Sequence, residues 1–243
     1  MKAIRVILSM IASALLLSLT LSAAAQWEKK PPAEWSEKDA KKILNDSGWG
    51  RTQAFSSPVT LFRGPQTGSQ GITNGQSANT ANATHVNFRV RFFSAKPIRA
   101  AHSRQYELKQ KGRVSEELAA QLKNLVSAEF PEYIIVTVSC DADEPGANVQ
   151  QAMSLLHSRG TADLKNNTFL ETKGGQRIFL EEFQTPKPDG FGARFIFKRN
   201  VDGKPFITPE SEEIRFYAEL DPGYRLDRRF KTKDMMYDGK LEY

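Results

Sequence analysis

The spacing of apolar residues changes period along the chain, and the change divides it. Ala40, Ile43 and Leu44 share one face of a helix that Ser36 can cap, with Asp39 as capping-box partner and Gly48 as its stop. Val59 to Phe62 suffices for a short strand only. Residues 64–84 carry no charge and almost no large apolar side chain, which predicts a flexible loop or linker. The stretch VNFRVRFF then alternates, with Val86, Phe88, Val90 and Phe92 against Asn87, Arg89 and Arg91. That pattern predicts a half-buried strand with a solvated face. Helices are expected from Pro97 to about Lys109, from Ser115 until Pro131 ends it, and from about Asn148 to Ser158. Tyr133 to Cys140 is apolar enough for a central strand.

Beyond Gly160 the period shortens to two. TFLETKGGQRIFLEEF predicts a hairpin about Gly174-Gly175, ARFIFKRNVDGKPF a strand with Asp202-Gly203 as its turn, and Glu213 to Leu220 a half-buried strand. A last pair is expected around Tyr237-Asp238-Gly239. Helices early and strands late predict an α+β fold, an antiparallel or mixed sheet with two or three helices on one face, plus a docked N-terminal helix. The expected organisation is a signal peptide (1–25), an N-terminal helix and short strand (26–63), a flexible linker or loop (64–84) and a main α+β domain (85–243). Trp35 and Trp49 flank the first helix and could clamp it to the main domain; the alternative is an aromatic interaction pair facing a ligand or partner.

Charge and cysteine content narrow the setting. Lys2 and Arg5, the apolar run Val6 to Leu21 and Ala23-Ala24-Ala25 form a secretory leader pattern, so the mature chain would start at Gln26 in the periplasm or outside the cell. A retained membrane anchor is the rival; with the leader removed, no membrane span is expected. The leader takes two of 34 basic residues, lowering the formal charge from +6 to +4. The remaining bases are scattered rather than striped, which argues against nucleic acid. Cys140 is the single cysteine, so no intramolecular disulfide can form, and YIIVTVSC favours a buried thiol.

Candidate chemistry is sparse. Cys140 with His102 and Asp141 is a conceivable nucleophilic set. Asp141, Asp143 and Glu144 could share a hard cation such as calcium, although a solvated turn before a helix explains them as well. No cofactor fingerprint is present: GFGARF lacks the third glycine and leads into a strand, so no cofactor is expected. Arg89, Arg91, Arg215, Tyr217, Arg225, Arg228, Arg229, Lys231 and Lys233 could form an anionic-ligand face if their strands are neighbours; the alternative is ordinary solvated charge.

The stretches WSEKDAKKILNDSGW, RVRFFSAKPIRAA and FKTKDMMYDGKLEY resemble those of small uncharacterised exported bacterial proteins of the acidobacterial type. The resemblance implies export and a bacterial envelope setting and carries no activity. The leading expectation is therefore a non-enzymatic envelope protein acting by binding or assembly, with an envelope protein or anionic ligand as partner. The alternative is an exported hydrolase with dispersed catalytic residues.

Overall fold

In the computed structural model, residues 27, 30–56, 85–111, 113–142 and 147–243 are described, so the leader, the predicted strand Val59 to Phe62 and the predicted linker 64–84 lie outside them. Ser36 begins helix α1 (Glu37–Asn45) with a reciprocal capping box: its hydroxyl accepts from the Asp39 N–H, and the Asp39 carboxylate accepts from the Ser36 N–H. These bonds from Ser36 hold the Asp39 carboxyl below its usual pKa. The helix ends three residues before Gly48, whose role is different. A Cβ on Gly48 would lie 1.8 Å from the Asp234 carbonyl oxygen, so glycine permits a backbone contact there.

Strand β1 (Gly50–Ser56) pairs with β2 (His85–Phe92), and β2 with β3 (Tyr133–Ala142). Between β2 and β3 run α2 (Lys96–Lys109) and α3 (Glu116–Ser127), and α4 (Ala147–Ser158) and the short α5 (Thr161–Leu164) follow β3. The strand-rich half supplies β4 (Thr168–Thr172), β5 (Arg177–Phe179), β6 (Glu182–Gln184), β7 (Ala193–Lys198), the small hairpin β8 (Asn200–Val201) and β9 (Lys204–Pro205), the long hairpin β10 (Glu213–Asp221) and β11 (Tyr224–Lys231), and a last pair β12 (Met236–Tyr237) and β13 (Lys240–Leu241). The fold is α+β, and all the ladders among the described residues are antiparallel.

Besides the two small hairpins, the described strands form two larger sheets, in the orders β1-β2-β3-β7-β6 and β11-β10-β4-β5. They join along both margins. On one side the stretch predicted as a single hairpin arm divides: Leu180 N–H donates to Thr168 in the second sheet, and Glu181 N–H to Ile196 in the first. On the other side β1 meets β11 through Gln53, whose amide donates to the Arg225 carbonyl at 2.8 Å and accepts from the Asp227 N–H at 2.9 Å. The enclosed space is filled by rings, with Phe92 on Phe230, Phe195 on Phe216 and Phe183 on Phe195. Helix α4 touches β2, β3 and β10, closing part of one open end.

The opposite face of the first sheet is not solvated as the alternation suggested. Helix α1 lies on β1 and β2, α2 on α1, and α3 on α2. Arg91 is buried beneath α1, donating to the Leu44 carbonyl, Asn45 Oδ1 and the Ser139 hydroxyl. Among the described residues no helix is long and apolar enough to cross a membrane.

Candidate functional site

Joining β1 to β11 brings together basic residues from three parts of the chain. Arg51 of β1 borders two open hollows of about 520 and 470 Å³. The first takes Lys38, Lys41 and Lys42 from α1 and Arg89 from β2; the second takes Arg228, Arg229 and Lys231 from β11. Several of these cations are paired: Arg51 with Asp46 at 3.0 Å, Arg229 with Glu213 at 2.6 Å, and Arg89 bidentate with Asp141. Lys38, Lys41, Lys42 and Lys231 have no ion pair among the described residues. Arg228 donates Nε to Gln53. Burial lowers the Arg228 pKa and the nearby Arg51 charge lowers it further, against the opposing effect of Asp227. An anion at this seam would relieve that crowding.

Only part of the predicted basic face converges here. Arg91 is inside, and Arg215 is held bidentate by Asp227 at 2.9 and 2.8 Å. Arg215 also lies over the Tyr217 ring, which stacks on Phe169. Conversely, the three α1 lysines and Arg51 belong to the seam yet give no sequence signal, because nothing local relates α1 to β11.

The candidate catalytic residues are kept apart. Cys140 faces the interior opposite Phe88, where burial first and Asp141 second push the thiol up to about 11, disfavouring the thiolate nucleophile. His102, on α2, rests its ring 4.9 Å from Phe191 on the helix-covered side of the sheet. Burial, and then the charges of Arg91 and Lys109, pull the His102 pKa down to about 3. Asp141 points to that outer side and is engaged with Arg89. Cys140 and His102 thus lie on opposite faces of the sheet and form no nucleophile-base pair. Asp143 and Glu144 lie outside the described residues, and among the described ones no group of three His, Cys, Asp or Glu side chains could hold a metal ion.

The tryptophans are core residues, which removes them as an exposed aromatic pair. Trp35 and Trp49 are 0% and 1% exposed, and each stands edge-on to Trp27. Trp35 Nε1 donates to the Trp27 carbonyl, and Trp49 Nε1 to the Glu242 carbonyl at 2.8 Å.

No family model matches the chain, and no curated protein matches it. Among solved structures, a novel protein of unknown function from Burkholderia pseudomallei is similar over 58% of this chain and 72% of its own, at 10% identity and a TM-score of 0.38. A likeness that distant carries no functional argument.

Proposed function

We propose that the protein acts by binding, as an exported, non-enzymatic component of a bacterial envelope, and that the basic seam receives an anionic partner. The observation that carries the reading is the gathering around Arg51 of lysines from α1 and β11 that have no ion pair among the described residues. Both hollows are open, which suits a chain of repeated phosphate, sulfate or carboxylate groups better than an enclosed metabolite. Export is supported by the leader pattern, and N-terminal sequencing of the protein recovered from the native cell tests it: cleavage before Gln26 is expected.

The binding test uses dextran sulfate, titrated at low and at physiological salt. Binding should weaken steeply as salt rises. The double variant K41E/K231E should weaken it roughly tenfold, about 1.4 kcal/mol. A control, K165E/K204E, alters the same net charge outside both hollows and should bind nearly as well as the original chain. Equal losses in the two variants would reduce the seam to a general charge effect.

A further inference from the structure

We infer that the cleft beside Cys140 is a receptor site for an extended apolar peptide, which adds to the open edge of β3. The ladder between β3 and β7 ends at Val138 opposite Ala193, whereas β2 accompanies β3 on to Ala142. Beyond Val138, therefore, β3 has a described partner on one side only. The direction of its backbone groups is fixed by two contacts. Glu132 accepts from Arg199 on the β7 side, and Ile135 accepts from Ser94 on the β2 side. Even-numbered residues thus turn their N–H and C=O toward β7, and for Cys140 and Ala142 that side is open among the described residues.

The chain itself creates this gap. Gly192, at φ +93°, presses against the Val138 carbonyl so closely that a Cβ would lie 2.3 Å from its oxygen. Phe191 then turns to the other side of the sheet, against Phe93 and His102, rather than continuing opposite Cys140. The preceding loop carries Pro186 and Pro188, which have no N–H to offer a ladder.

The vacated place is a cleft of about 380 Å³. Met153 and Leu156 of α4 form its apolar wall, and Met153 is 45% exposed there. Lys187, on the rim, has no ion pair among the described residues and supplies a site for a peptide carboxylate. An exposed backbone edge with a side-chain pocket beside it is the arrangement by which sheets take up an added strand. The wall selects an apolar side chain, and the edge requires backbone amides.

The probe is the peptide acetyl-Val-Ile-Val-Ile with a free C-terminal carboxylate, titrated calorimetrically into the full chain. Binding is expected, with slowed amide exchange at Cys140 and Ala142. A copy of the peptide N-methylated at alternate amides, in each of the two registers, separates backbone pairing from apolar partition. One N-methylated register should lose at least tenfold while the other binds as the parent. Met153→Asp should weaken the parent peptide about tenfold without altering the near-ultraviolet circular dichroism of the protein. Absence of binding, equal binding of all three peptides, or binding without protection of Cys140 and Ala142 would each overturn the proposal. So would binding of decanoate to the cleft in preference to the peptide.

Discussion

Arg99 shows how this chain uses buried charge. Its guanidinium donates to the carbonyls of Phe93, Ser94, Leu125, Val126 and Ala128, which tie the end of β2 to the C-terminal end of α3. Burial lowers its pKa to about 10, leaving it a cation at neutral pH, and those carbonyls replace the water it has lost. Arg99→Met should therefore cost on the order of 3 kcal/mol, read as a shift in the urea midpoint, because the carbonyls lose their donor. Arg99→Lys should recover only part of it, lacking the planar fork. His102 is the opposite case, a base kept neutral. Its folded pKa of about 3 lies below the ordinary value near 6.5, so between those limits the unfolded chain binds the extra proton. Stability from this residue is complete above about pH 6.5 and falls as the pH drops toward 3. The expected loss at pH 5 is on the order of 2 kcal/mol, and His102→Phe should flatten that part of the stability profile. An unchanged pH dependence in the variant would contradict the assignment.

At the scale of elements, the seam between β1 and β11 turns on Gln53. It makes three hydrogen bonds, to the Arg225 carbonyl, the Asp227 N–H and Arg228 Nε, and thereby covers two sheet edges that would otherwise invite pairing with other chains. Gln53→Leu is expected to lower stability by about 2 kcal/mol and to increase aggregation, both measurable by urea titration with light scattering. This strand was also the least legible element. Its inward positions are Arg51, Gln53 and Phe55, so the alternation that announces β10 is absent from β1. By contrast Ile214, Phe216, Ala218 and Leu220 are all buried as their spacing predicts. The hairpin about Gly174-Gly175 was readable as two alternating stretches, but local pattern holds no sign that the second crosses between sheets at Leu180. Arg91 was misplaced for a related reason: alternation reports which side chains share a face, not whether a helix covers it. The seam was half visible, since Arg225, Arg228, Arg229 and Lys231 fall within one short stretch, whereas the α1 lysines join them only through tertiary packing.

Across the whole molecule, the first described residues and the last are parts of one core. Trp27, Trp35 and Trp49 belong to the same buried cluster as Met235 and Tyr243. Trp49 bonds to Glu242, Gly48 is seated against Asp234, and Tyr237 stands edge-on to Trp49. Arg199 donates to the Tyr243 carbonyl and covers its ring. The turn that follows helix α1 is therefore held by the C-terminal segment, and the two should unfold together. Deleting residues 235–243 strips Trp49 of its hydrogen bond and removes the buried Met235, so the expected cost is several kcal/mol. Because all three tryptophans of the chain are buried together here, the tryptophan emission reports on this region. The truncated protein should show red-shifted emission in the absence of denaturant, while far-ultraviolet circular dichroism from the two sheets changes less. Unshifted emission would mean that α1 is held by α2 and the first sheet without the C-terminal segment. That outcome would relocate the stability of the N-terminal helix to Arg91 and Arg104, which reach the Leu44 and Trp35 carbonyls from β2 and α2.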